Sequence, residues 1–229
     1  MAVFFNLLGI TILDKFVQIR ATPIPIPSTF KEYILGFLVI ALTPGICEEI
    51  MFRGMVMSSY KSLGRRKSII YSAMLFGLFH FNLQNLLGPI YLGILFGIIA
   101  YKTNSLFSTM IGHTMNNTIA LTIGYMSTKL EQGMESNMEA ISMPQGKQMI
   151  MAFLGLGLLA LVFGLIAYKL IKILPSSDEK ELVEVNNFII GKPLIKDMNG
   201  NKGISIIESL PILVVILMFF YWHFKYLFI

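Results

Sequence analysis

Seven apolar blocks divide this chain, near residues 2–19, 33–60, 68–82, 89–101, 106–126, 148–173 and 205–224. A bilayer core takes about 20 apolar residues per helical span, so most of the length is accounted for as helices in lipid. The composition agrees: 55% of the 229 residues are hydrophobic and 14% charged, against roughly 25% charged in a soluble domain. Disorder, which needs low hydrophobicity and high net charge, is excluded for most of the length. The expected fold is therefore an all-α, polytopic transmembrane bundle of about six to seven helices. It forms one membrane domain over residues 1–229, multi-pass in the cell membrane.

The punctuation sharpens this picture. Met1 runs into apolar sequence with no basic region and no small-residue cleavage pattern, so the first block is expected to stay in the protein. Asp14, Lys15 and Arg20 crowd its second half, leaving it either a span or an interfacial helix. Pro23, Pro25 and Pro27 make an extended connector, after which the second helix begins. Pro44 and Gly45 fall inside that helix, where a kink or break is expected, with residues 44–49 inside the bundle. The short blocks at 68–82 and 89–101 are expected to be tilted, re-entrant or enclosed by other helices.

Charge sets orientation. Lys61, Arg65, Arg66 and Lys67 place their loop in the cytoplasm, and alternate counting puts Lys102 and the Lys169–Lys172 end there too. The loop with Glu131, Glu135 and Glu139 then lies outside, and 175–204 is a short cytoplasmic loop. The net charge of +5 sits in short clusters rather than along one face, so no nucleic-acid partner is expected. The single cysteine, Cys47, excludes an intramolecular disulfide and any cysteine-rich metal cage.

Between residues 33 and 126, apart from that basic loop and Lys102, the charged residues are Glu48, Glu49 and Arg53. A charge at the centre of a membrane helix costs about 2.5–3.5 kcal/mol on insertion scales, so three together need a partner or a purpose. Glu49 and Arg53 are spaced i, i+4 with the acid first, the favourable order for an ion pair. Glu48 points about 100° away and must find water, a proton or another helix. His80 and His113 also lie within apolar blocks, and His113 and Asn117 share one helix face. A structural triad of buried charges is the plain alternative. Convergent polar groups in a membrane core otherwise mark a site.

Desolvation makes a carboxylate a better general base, and imidazole or carboxamide donors steady the oxygen of a carbonyl under attack. Peptide hydrolysis by activated water fits such parts. A covalent route does not, because Cys47 has no neighbouring histidine in sequence and Ser58 and Ser59 lie beyond the arginine turn. Zinc is possible but not supported by ligand spacing, since His-Glu-x-x-His is absent. Buried acids and imidazoles also build proton paths in transporters.

Glu48-Glu49-Ile-Met-Phe-Arg53, Phe76-Gly-Leu-Phe-His80 and His113-Thr-Met-Asn-Asn117 resemble, in order, the three motifs of the CPBP (CAAX protease and bacteriocin-processing, Abi) intramembrane proteases, which include Rce1-like enzymes. With their flanks they cover roughly 33–126, the motif core. The resemblance implies that Glu48 activates water with help from His80. It implies that His113 and Asn117 steady the carbonyl and that Arg53 with Glu49 forms a supporting ion pair. It also implies a membrane-embedded or lipid-anchored peptide substrate cut near the cytoplasmic face. Richness in Ile, Lys, Met and Asn favours bacteriocin processing or self-immunity over prenyl-protein maturation. The alternative is a non-proteolytic immunity or peptide-binding protein that uses the same polar cluster. Before the first motif the chain has a single marginal span, a departure from the family pattern.

Overall fold

The computed structural model describes residues 2–13, 26–134, 147–174 and 206–227. Among these, all regular structure is helical: α1 Ala2–Leu13, α2 Phe30–Ser59, α3 Arg65–Leu78, α4 Leu87–Thr103, α5 Leu106–Met134, α6 Lys147–Ile173 and α7 Ile206–Leu227. Each apolar block corresponds to one helix. Asp14, Lys15, Arg20, Pro23, Pro25, Glu135, Glu139 and the 175–204 loop lie outside the described residues.

The start of α2 is written locally. The Thr29 hydroxyl accepts the Glu32 N–H at 3.2 Å, and the Glu32 carboxylate accepts the Thr29 and Ser28 N–H groups at 3.4 and 2.8 Å. This reciprocal box satisfies amides that a helix start leaves open. Pro27 precedes it in non-helical chain, as an extended connector requires.

Of the kink or break expected at Pro44-Gly45, the break is absent: α2 runs unbroken from Phe30 to Ser59. Two widened stretches, Phe37–Leu42 and Ile50–Val56, take up the disturbance. In them backbone bonds reach five residues back, as from Thr43 N–H to Leu38 O and from Met57 N–H to Phe52 O. Such wide turns absorb a local mismatch without ending the rod. Pro44 has no N–H to give the Ile40 carbonyl, and Asn117 supplies the missing donor, Nδ2 to O at 3.1 Å.

Close packing follows small residues. A side chain at Gly93 would meet the Ala73 backbone at 2.8 Å and one at Gly97 the Ile69 side chain at 2.9 Å, so α4 lies directly on α3. Gly45 does the same for α2 and α5, where a Cβ would stand 2.1 Å from the Thr114 hydroxyl. Phe52, Tyr60, Leu75 and Phe76 form the buried core between α2 and α3.

The basic end is one end. Arg65 lies over the Tyr101 ring at 5.4 Å, and the next residue, Lys102, gives its ammonium to the Ile171 carbonyl and to that of Leu174 at 3.4 Å. A cation on the last carbonyls of a helix is electrostatically favourable. The loop after α2 and the C-terminal ends of α4 and α6 therefore sit together, as the charge count anticipates. The opposite surface property is apolar exposure: α2 and Phe153–Ile173 are long and apolar enough to cross a membrane, and α6 turns Leu154, Leu158, Leu161 and Phe163 outward. An apolar surface of that extent fits lipid rather than water.

Candidate active site

The two adjacent acids of α2 have different surroundings. Glu49 is fully enclosed, with Arg53 Nη1 at 2.8 Å from its Oε1 and His113 Nδ1 at 2.9 Å from the same atom. The arginine contact is short but not aligned as a hydrogen bond, and Glu49 Oε2 and Arg53 Nε are enclosed with no hydrogen-bond partner among the described residues. The pair is thus held mainly by charge. Arg53 is also clamped between aromatic faces, its guanidinium carbon 4.5 Å from the Phe76 ring centre and 5.5 Å from that of Phe96. Its Nη2 reaches the Gly93 carbonyl at 3.5 Å, next to the close α3–α4 contact.

Glu48, one helical step away, is about one-third exposed at its side chain and lines a cavity of about 580 Å³. Its Oε2 stands 3.9 Å from His113 Nε2, beyond direct hydrogen bonding, and is itself enclosed with no hydrogen-bond partner among the described residues. His113 therefore touches both acids, with Nδ1 on the enclosed one and Nε2 toward the open one. Phe96 stacks on its ring at 5.6 Å and Phe76 meets it edge-on at 5.7 Å.

His80 lies elsewhere than the 68–82 block implies. Helix α3 ends at Leu78, and His80 occupies the following turn, exposed and lining the same cavity. Its Nδ1–H donates to the Phe76 carbonyl at 2.7 Å, which leaves Nε2 with a lone pair. The ring packs edge-on to Phe76 at 5.0 Å, so Phe76 stands between the two imidazoles.

Asn117 also lines the cavity, but its Nδ2 is committed to Ile40 and its Oδ1 accepts from Asn116 at 3.1 Å. His113 and Asn117 do share a face of α5, yet they bond to different residues of α2. All six residues singled out from the sequence are thus gathered at one locus on α2, the α3 end and α5. Cys47 is exposed, and Ser58 and Ser59 bond back to the carbonyls of Gly54 and Met55.

Two contributors escaped the sequence reading. His223 on α7 accepts the Leu83 N–H on Nε2 at 3.0 Å while its Nδ1–H donates to Phe219 O at 2.8 Å. It anchors the loop that carries His80. Asn6 on α1 accepts the Gly88 N–H at 2.6 Å and donates to Asn85 Oδ1, joining α1 to the same loop and to α4. Neither shows a local signal, because each partner is distant in the chain.

Zinc requires three or four donors converging on one point. Among the described residues no three His, Cys, Asp or Glu side chains are so gathered, and His113 Nδ1 is already taken by Glu49. The donor set does not fit zinc.

Fold and site define a class: an all-helical, apolar protein with paired acids and imidazoles around a cavity among its helices. A family model described as type II CAAX prenyl endopeptidase Rce1-like matches residues 30–119. That stretch, less than half of the chain, is similar to the Rce1-like family and includes all three motifs, and the family is one of membrane-embedded proteases. Comparison with curated proteins and with solved structures gave no match.

Proposed function

We propose that the chain is a multi-pass intramembrane endopeptidase in which Glu48 activates water for attack on a peptide bond. The observation that supports this most is the division between the acids: Glu49 is enclosed and held by Arg53 and His113, while Glu48 faces the cavity 3.9 Å from His113 Nε2. A water oxygen in the cavity can lie within hydrogen-bond reach of the Glu48 carboxylate. Glu48 would take its proton, and the His80 Nε2 lone pair would orient it from the cavity wall. Attack on the carbonyl carbon then gives a tetrahedral intermediate, and the proton held by Glu48 passes to the leaving amine. A second hydrogen on Asn117 Nδ2, beside the one given to Ile40, can face the carbonyl oxygen.

The substrate on this reading is a membrane-embedded or lipid-anchored peptide, and the role is bacteriocin processing or self-immunity. One observation favours a second reading, a non-proteolytic immunity or peptide-binding protein: His113 Nδ1 and Asn117 Nδ2 both serve to join α5 to α2. The test is purified protein in detergent with a panel of single-span peptides, cleavage read by mass spectrometry. Glu48→Gln keeps shape and hydrogen bonding but removes the base. Cleavage by wild type and loss in E48Q is expected, and cleavage by E48Q at the wild-type rate would exclude the base role.

A further inference from the structure

The cavity has a polar feature that no motif accounts for. Asn6 and Asn85 line it together with Glu48, His80 and Asn117. Helix α1 packs on α4 and α6, whereas Glu48 and Asn117 come from α2 and α5, so Asn6 lines the cavity from a different wall than they do. The two carboxamides are built as a unit. Asn6 accepts the Gly88 N–H at 2.6 Å and gives its own Nδ2–H to Asn85 Oδ1. Gly88 leaves room for the Asn6 carboxamide, since a Cβ would stand 2.5 Å from Asn6 Nδ2 and push it aside. The backbone on the other side is fixed as well: Asn82 Oδ1 accepts the Gln84 and Asn85 N–H groups at 3.0 and 3.1 Å. Asn85 is thus held with its oxygen occupied, and its Nδ2 donates to no described residue.

A fixed amide donor on the wall of a largely apolar cavity is poorly matched by a lipid tail, which offers no acceptor. A peptide main chain offers a carbonyl at every residue. The geometry points to Asn85, tethered by Asn6, as a positioning group that donates Nδ2–H to a main-chain carbonyl of the bound peptide. This rests on the peptidase reading and concerns how substrate is held, across the cavity from the acid that cuts it. Asn6 lies outside the matched 30–119 stretch, so α1 supplies part of the binding wall.

The test is Asn85→Asp, which keeps an oxygen for Asn6 Nδ2 and removes the donor. The probe is a fluorescein-labelled single-span peptide with a Gly-Pro break in its apolar segment. In cleavage by purified protein, KM is expected to rise about 3- to 10-fold, the worth of one neutral hydrogen bond, with kcat within about twofold. An unchanged KM, or a fall in kcat alone, overturns the inference. If wild type does not cleave, the peptidase reading fails by itself. Binding of the same peptide to the E48Q protein, with and without N85D, then reads the carboxamide role separately: equal affinities overturn it, and a weakening of about 3- to 10-fold supports it. Should N85D not fold, Asn85→Ala, which carries no side-chain donor, is measured in the same two assays with the same expectation.

Discussion

Removing the Arg53 cation exposes how the interior charges are balanced. Glu49 is fully enclosed, and Arg53 Nη1 at 2.8 Å and His113 Nδ1 at 2.9 Å both bear on its Oε1. Arg53→Met keeps an unbranched apolar stem between Phe76 and Phe96 but leaves an enclosed carboxylate facing one imidazole. Breaking one side of a buried pair costs about 3–5 kcal/mol. For a chain of 229 residues each kcal/mol moves the melting temperature about 2–4 °C, so a fall of roughly 6–20 °C is expected. Glu49→Gln combined with Arg53→Met removes both charges and keeps an oxygen for His113 Nδ1–H. That double variant is expected within about 2 kcal/mol of wild type, because a buried pair replaced as a whole is often neutral. Arg53→Lys falls between, as an ammonium lacks the planar fork that stacks on the two rings. The assay is loss of helical circular dichroism on heating in detergent, with size-exclusion of the heated samples. A cost below about 1 kcal/mol for R53M, or a double variant no better than R53M, would refute the charge-balance reasoning.

Three further outcomes follow from single contacts. Asn117→Ala should cost about 1–3 kcal/mol by stranding the Ile40 carbonyl; in a Pro44→Ala background, where residue 44 regains an N–H for that carbonyl, the same change should cost clearly less in the melting assay. Gly45→Ala should destabilise by about 1–3 kcal/mol because its Cβ meets Thr114, whereas Gly155→Ala in α6, with nothing within 4 Å, should be neutral or stabilising by up to about 1 kcal/mol. His223→Ala removes the acceptor for Leu83 N–H and should lower cleavage several-fold while His223→Gln partly restores it, read as kcat and KM on the same peptide probe.

The helical class, the approximate helix limits and the locus of the site were legible in the sequence because they rest on local terms. Apolar block length and the i, i+4 spacing of Glu49 and Arg53 involve neighbours within a few residues. The order of the three motifs was equally readable, and the family match over residues 30–119 agrees with it. Tertiary structure decided the rest. Which acid is enclosed and which faces the cavity depends on His113, 64 residues away from Glu49. That α2 continues through Pro44 depends on wide turns and on an Asn117 donor 77 residues away. The anchoring of the His80 loop by His223 and of Asn85 by Asn6 spans 140 and 79 residues. A polar side chain's partner across such separations is set by how helices pack, through glycines at their contacts, and a one-dimensional pattern carries no record of that geometry.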